Sequence, residues 1–382
     1  MARHLILSAN ANPLEGGQGL NLYHMIEGSR GSFEVSVFCR RDCTDVNTHV
    51  VPDARFSNLI NRTPIIRRLR DWQALISDSH FDRYVSARLT TTDVFQGVTG
   101  QCAESIRKAQ KLGCGTLLDV VTTHIEDFGE EQRRECIRFG VRPSINRGLR
   151  RRIQREYENA DLIRVMSKRA QQTFLDRGFT DGRVRVVTPP LEFEEFPEAK
   201  FDEPKFRVSF VGLIEPWKGF HYLIEAFNSL NLPDSELILW GGSGSRPANR
   251  YLQEQMARNP AIVVRPVEVR SLGYGEVYAK SSVLVHPSLA DGFGYVVAEA
   301  MASGIPVIVT DKTGAADLIV DGQNGYIVPP RDSEAIRDRL ENLANNPGLL
   351  REMGRAARET ARSLTFEKFR QQYVSCLDAL SA

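Results

Sequence analysis

Residues 283–330 read VLVHPSLADGFGYVVAEAMASGIPVIVTDKTGAADLIVDGQNGYIVPP. The short apolar run Val283–Val285 is a strand signal. A loop carrying Asp291, Gly292 and Gly294 follows, then a helical pattern from Tyr295 to Ala302 that stops at Gly304-Ile305-Pro306. A second apolar run, Val307–Val309, closes the unit. Strand, glycine loop, helix, strand is one repeat of a parallel α/β sheet. Such a loop presents backbone N–H groups at the positive end of a helix, a ready site for an anion. Asp291 sits in that loop and Glu299 one turn or more into the helix, eight residues on. A carboxylate beside an anion cradle suits a ligand with both phosphate and hydroxyl groups, as a nucleotide sugar has.

Working outward, the 382 residues suffice for about two domains. Apolar content of 42% and charged content of 25% are those of a soluble globular chain. A net charge of +1 supplies no general attraction to nucleic acid. The six cysteines (39, 43, 102, 114, 136 and 376) show no C-x-x-C or His-linked zinc spacing, and read as reduced thiols. No apolar run approaches the roughly 18 residues of a membrane span. The opening Met1-Ala2-Arg3-His4 runs into a strand pattern rather than a signal peptide, so the expected location is cytoplasmic.

The first half alternates strands and helices. His4–Ser8 is a strand, Asn10–Gly19 a turn-rich loop with Gly16, Gly17 and Gly19, and Leu20–Ile26 a helix. The glycines do not form G-x-G-x-x-G, and a plain turn explains them as well as a ligand loop does. Phe33–Phe38, Asp93–Gly97, Thr116–Val121, Leu162–Met166 and Val184–Val187 read as strands, with helices at Glu104–Leu112 and Arg169–Asp176. His124 lies just past a strand end, where ligands of open α/β sheets collect.

Two basic stretches stand out. In residues 61–77, Ile65, Leu69, Trp72 and Ile76 share one stripe among Arg62, Arg67, Arg68 and Arg70. A basic amphipathic helix can make peripheral contact with anionic membrane; a surface helix packed by its stripe is the commoner alternative. Arginines 142, 147, 150, 151, 152 and 155 could meet acidic lipid or a phosphorylated acceptor, or form a solvated face partly neutralised by Glu156 and Glu158.

Residues 189–204, with four prolines, read as a linker. The second half repeats the pattern: strand Val208–Val211, a loop to Gly219 carrying Lys218, helix His221–Leu230, strand Leu237–Trp240, helix Tyr251–Arg258, strand Ile262–Val264 and short helix Tyr274–Lys280. Helices at 332–346 and 348–362 follow, and Thr365 can cap a last one.

Over these segments the chain resembles retaining glycosyltransferases of the GT-B fold, glycosyltransferase family 4. The resemblance is carried most by Val208–Leu230 and Val283–Pro330, and less by Leu117–His124, Glu156–Ser167 and Asn10–Gly19. The family has two acids separated by seven residues around G-F-G, then E-A-M-A-x-G-x-P-V. Here these are Asp291 and Glu299, followed by Ala300, Met301, Ala302, Gly304, Pro306 and Val307. The family more often has Glu at the first acid, so Asp291 shortens its reach by one methylene. It also usually has an Arg where Leu213 stands.

The resemblance implies two Rossmann-like domains with parallel sheets facing a central cleft. These would be an acceptor-side domain over 1–190 completed by a terminal crossover helix in 363–382, a linker over 191–204 and a nucleotide-sugar-binding domain over 205–362. It implies transfer of a hexosyl unit, with retention, from a UDP- or GDP-sugar to a glycan or lipid-linked acceptor in polysaccharide or glycolipid synthesis. In that scheme Lys218 holds the diphosphate and Glu299 the ribose hydroxyls. Asp291 takes a hydroxyl of the transferred sugar, and Gly292, Phe293 and Gly294 supply N–H groups to sugar and phosphate. His124 contacts the sugar, while Gly16 and Gly17 face the diphosphate. Neither a cofactor nor a metal is expected beyond the donor itself, and no nucleic-acid partner. A non-catalytic nucleotide-sugar-binding subunit, or a GT-B epimerase or phosphorylase, are the alternatives the residues leave open.

Overall fold

The computed structural model describes residues 3–13, 15–43, 45–53, 70–141, 143, 145–201, 205–230, 232–242, 244–266 and 274–381, without the side chains of 70–74 and 274–276. The chain builds two parallel sheets. The first holds β1 (His4–Ser8), β2 (Glu34–Cys39), β3 (Asn47–Val50), β4 (Val94–Val98), β5 (Gly115–Val120), β6 (Leu162–Val165) and β7 (Val184–Val186), in the order β3-β2-β1-β4-β5-β6-β7. The second holds β8 (Phe206–Val211), β9 (Ser235–Trp240), β10 (Ile262–Arg265), β11 (Val283–His286), β12 (Val307–Thr310) and β13 (Tyr326–Val328), in the order β10-β9-β8-β11-β12-β13.

Parallel strands need crossover connections, and helices supply them on the faces. In the first half these are α1 (Gly16–Ser29), α2 (Arg70–Arg88), α3 (Ala103–Lys111), α4 (Ile125–Arg138), α5 (Arg147–Asn159) and α6 (Lys168–Leu175). The second half has α7 (Phe220–Asn228), α8 (Arg246–Arg258), α9 (Tyr274–Ala279), α10 (Tyr295–Ala302), α11 (Ser333–Asn345), α12 (Pro347–Ala361) and α13 (Phe366–Asp378). Strands covered on both faces are apolar throughout, which is why β11 and β12 bury every residue. Thr365 caps α13 by accepting from the Lys368 amide. This last helix returns to the first sheet, where the Tyr373 hydroxyl donates to Gln96 Oε1 at 2.6 Å and Phe369 and Leu377 join the core around Leu5 and Leu22.

Several elements depart from the sequence reading. The helix expected from Leu20 begins at Gly16, so Gly16, Gly17 and Gly19 belong to its first turn rather than to a loop. The β3 strand and the helices α4 and α5, whose buried faces include Glu131, Glu135 and Glu156, are not among the elements the sequence reading gives. On α5, Arg152 is not part of a solvated face: it bonds the buried Asp82 at 2.7 Å. Glu156 turns inward to accept from the Gly100 and Cys102 amides instead of neutralising the exposed arginines. Of the amphipathic stretch 61–77, residues 61–69 and the side chains of Arg70 and Trp72 lie outside the described residues; Ile76 is 39% exposed. Among the described residues no helix is long and apolar enough to cross a membrane.

Candidate functional site

In the second sheet the strand order reverses between β8 and β11. Open α/β sheets take ligands beyond the carboxyl ends of their strands at such a switch point. Lys218 follows β8, and His286 and Asp291 end and follow β11, so all three converge there. After β8 the chain makes a 3-10 turn over Pro216–Lys218 and leaves it through Gly219 in the left-handed region, φ +70°. A Cβ on Gly219 would stand 2.0 Å from the Pro287 carbonyl oxygen. The Leu289 amide also donates to the Trp217 carbonyl at 2.9 Å. These two contacts seat the lysine loop directly on the end of β11.

The result is a compact charged group. Lys218 Nζ lies 2.6 Å from Asp291 Oδ2, and His286 Nε2 lies 2.9 Å from the same oxygen. Burial alone would raise the Asp291 carboxyl. The Lys218 charge and the His286 hydrogen bond outweigh it and hold the group well below the usual carboxylate range. Burial lowers His286, against the pull of Asp291, so its imidazole is neutral. Asp291 is fixed through its backbone as well: its amide donates to the Lys312 carbonyl, and its carbonyl accepts from the Gly314 amide.

The loop then enters α10 through Gly294, φ +90°, whose Cα faces the His286 ring. The first amides of α10 lie past the reach of the helix's own i→i−4 bonds, and that of Val297 donates to the Gly294 carbonyl at 2.9 Å. Phe293 places its ring in the apolar core and its carbonyl accepts from the Ala315 amide. Gly292 meets the other half of the chain. A Cβ there would lie 2.3 Å from the Val121 carbonyl oxygen, and its own carbonyl accepts from Ser167 Oγ at 2.7 Å. The carboxyl ends of the two sheets therefore meet at this loop.

Glu299, on α10, is 8% exposed among small apolar neighbours and accepts from the Tyr278 hydroxyl at 2.6 Å. Burial lifts its pKa to about 7. The protein thus already supplies one hydrogen bond to this acid, which the residues alone did not reveal.

His124 is more enclosed than its place just past a strand end suggests. It is the N-cap of α4, its Nδ1 accepting from the Glu126 amide at 3.2 Å, and it is 5% exposed. Its ring packs against Tyr157 and Phe174 at 4.9 Å each, an apolar setting that a loop position after a strand does not suggest. Burial lowers its pKa to about 4, and it is neutral. Two paths link it to the Asp291 loop: the chain from Val121 and Thr122, which touch Gly292, and its amide bond to Thr173 on the helix whose cap, Ser167, bonds the Gly292 carbonyl. Gly16 and Gly17 open α1 at the carboxyl end of β1, with nothing among the described residues within 4 Å of where a Cβ would be. Gly16 has φ +65°, so its backbone requires glycine while Gly17 has no such requirement. Leu213 is 56% exposed beyond β8, an uncharged side chain at the position the resemblance reserves for a cation.

Sequence reading missed His286 and Tyr278. His286 was legible as the polar last residue of an apolar strand; Tyr278 lies on α9 and reaches Glu299 only through the fold. It missed too the bond between the halves made by α4. Glu135 accepts from Arg331 Nε at 2.7 Å and from the Tyr222 hydroxyl at 3.2 Å, while its Oε2 lies 3.2 Å from His221 Nε2. Glu131 accepts from Arg331 Nη2 at 2.5 Å.

Residues 192–360 match the sequence model of the family described as Glycosyl transferases group 1. The capsular polysaccharide biosynthesis glycosyltransferase CapM of Staphylococcus aureus is 30% identical over 182 residues, 44% of this chain and 47% of that one. The chain spans about half the length of the curated relatives it matches. Similar solved structures cover nearly the whole chain. HepE of Anabaena in complex with UDP-glucose superposes with a TM-score of 0.74 at 17% identity, over 98% of this chain and 99% of that one. Sucrose-phosphate synthase of Thermosynechococcus elongatus superposes with a TM-score of 0.74 at 20% identity, over 99% of each chain. The two parallel α/β sheets meeting at their carboxyl ends are accordingly a GT-B fold, and residues 192–360 within it are a glycosyl transferases group 1 domain.

Proposed function

We propose that the chain is a retaining glycosyltransferase that moves a hexosyl unit from a UDP- or GDP-sugar to a glycan or lipid-linked acceptor in polysaccharide or glycoconjugate synthesis. The observation that carries this reading is the meeting of Lys218 and Asp291 at the β8/β11 switch point, 2.6 Å apart, beside the amino end of α10. The second half of the chain binds the nucleotide sugar and the first half, with α13, frames the acceptor. The relative CapM is named for capsular polysaccharide biosynthesis, and HepE is a UDP-glucose complex; both support the reading.

Cleavage of the anomeric C–O bond leaves an oxocarbenium-like sugar and puts negative charge on the departing nucleoside diphosphate. Lys218 and the amides that open α10 stand where that charge develops. Glu299 accepts the ribose hydroxyls, and Asp291 a hydroxyl of the transferred sugar. A diphosphate oxygen takes the acceptor proton as the acceptor attacks the same face, so no second carboxylate base is needed. His124 contacts the sugar as a neutral group. Release of nucleoside diphosphate from a panel of UDP- and GDP-sugars, with NMR of the product anomer, tests the reading. No melting-point rise with UDP or GDP and no turnover of any donor would reject it.

The Glu299 environment makes donor binding depend on pH. An ionised carboxylate accepts from both hydroxyls of a vicinal diol. Below about pH 7 this one is increasingly protonated. Donor affinity is expected to tighten by about tenfold from about pH 6 to about pH 8, measured by calorimetry with an intact nucleotide sugar, whose phosphates do not titrate in that range. Glu299→Gln is expected to flatten the profile; an unchanged slope would remove Glu299 from the site. Folding stability moves oppositely. The contribution from this raised pKa is fully present below the ordinary value of 4.5 and is lost as pH rises through about 7.

A further inference from the structure

We infer that His286 is the positioning residue that holds Asp291 in its working orientation while Lys218 is engaged by the donor diphosphate. The inference rests on the proposed reading of the site and goes beyond it.

The two partners of Asp291 differ in kind. Lys218 Nζ and His286 Nε2 both address Oδ2, at 2.6 and 2.9 Å. Lys218 is a flexible four-carbon cation on a loop, and a diphosphate competes directly for it. His286 ends a central strand, is buried, and has its ring against Gly294, so its place is set by the sheet and not by the ligand. When the ammonium turns to the diphosphate, His286 remains as the donor that keeps Asp291 Oδ2 in place. The other oxygen is then left to meet a sugar hydroxyl. An aspartate has one methylene fewer than the glutamate usual in the resembling family, so its carboxylate direction tolerates less error, and a rigid second partner has more to contribute.

The tautomer follows from the surroundings. A bare Nε2 would oppose a carboxylate oxygen lone pair to lone pair, so the proton sits on Nε2. Nδ1 is buried with no hydrogen-bond partner among the described residues. Protonating it would bury a second N–H without an acceptor, which disfavours the imidazolium. The group is therefore a Lys–Asp ion pair steadied by a neutral imidazole, the form that burial of His286 also favours.

The test compares His286→Phe, which keeps ring volume without the N–H, with His286→Gln, whose amide nitrogen can stand where Nε2 does. Melting curves confirm that each folds. His286→Phe is expected to lower kcat/KM for transfer by about tenfold to a hundredfold. The affinity for free UDP or GDP, whichever binds the parent protein, should stay within about twofold, because on this reading Asp291 addresses the transferred sugar, which the free nucleotide lacks. His286→Gln should recover most of the loss. In an Asp291→Asn background, His286→Phe should cost less than about twofold, because the residue it serves is already altered. Equal losses with and without Asp291, or a glutamine no better than phenylalanine, would overturn the inference. An active parent with an equally fast His286→Phe would overturn it alone. A parent inactive on every donor would reject the glycosyltransfer reading and this inference with it. Nitrogen NMR of labelled histidine, assigned by His286→Gln, gives a check that needs no phenylalanine variant. A neutral Nε2–H tautomer at about pH 7 supports the inference, and an imidazolium or Nδ1–H form overturns it.

Discussion

Lys218→Ala is expected to lower kcat/KM for sugar transfer by about 10²- to 10³-fold, the range seen when one group facing a developing charge is removed. Two effects combine. The departing diphosphate loses the cation that the β8 loop delivers, and Asp291 loses the charge that holds its buried carboxyl ionised. The loop itself should keep its shape, because the contacts that seat it are made by Gly219 and Trp217 on Pro287 and Leu289. The lesion should therefore be in the chemistry and not in the fold. Steady-state release of nucleoside diphosphate, with the melting point as control, measures it. Lys218→Arg is expected to recover little, since a planar fork cannot take the place of a point charge 2.6 Å from Asp291 Oδ2. A folded Lys218→Ala enzyme with parental turnover would contradict the assignment.

The largest loss of stability is expected at Asp119→Ala. Asp119 on β5 and Arg164 on β6 are register neighbours, and both side chains are fully buried. Arg164 Nη1 donates to Asp119 Oδ1 at 2.6 Å and to Asn21 Oδ1 at 2.9 Å, and the Asn21 amide donates to Asp119 Oδ2 at 2.5 Å. The guanidinium also lies over Phe369, 5.5 Å from the ring centroid, so the group joins the first sheet to α1 and to α13. Removing the carboxylate leaves an uncompensated arginine in the interior, which costs about 3–5 kcal/mol. Urea unfolding should show a fall in midpoint without a change in slope. The double replacement Asp119→Leu with Arg164→Met should be less harmful than Asp119→Ala alone, because it removes both charges together. A loss below about 1 kcal/mol for Asp119→Ala would show that the pair carries little of the domain's stability.

The contrast between α7 and α4 shows what was legible along the chain. The α7 segment Phe220–Asn228 buries Phe220, Leu223, Ile224 and Phe227, and its apolar spacing announces a helix. Helix α4 buries Glu131 and Glu135 toward the second sheet's loops, while Gly129 and Gln132 face Ile145 in its own half. Its buried face is polar because it meets Arg331, Lys312, His221 and Tyr222. Apolar periodicity cannot report a helix whose inner face is held by charge. Leu20 was read as the start of α1 for a related reason: glycines at 16, 17 and 19 read as a turn, yet the helix begins among them.

The site divides in the same way. Strand, glycine loop and helix, the Asp291–Glu299 spacing and the Lys218 loop are local patterns, written in consecutive residues, and the sequence by itself determined them. That β8 lies beside β11, so that a lysine and an aspartate 73 residues apart share one oxygen with His286, is a matter of strand order. So is the Tyr278 hydroxyl on Glu299, and the aromatic enclosure that makes His124 a neutral cap. Protonation states and ion pairs depend on what lies across space, at low local dielectric. Residue spacing along a chain carries no record of that until the sheet has closed.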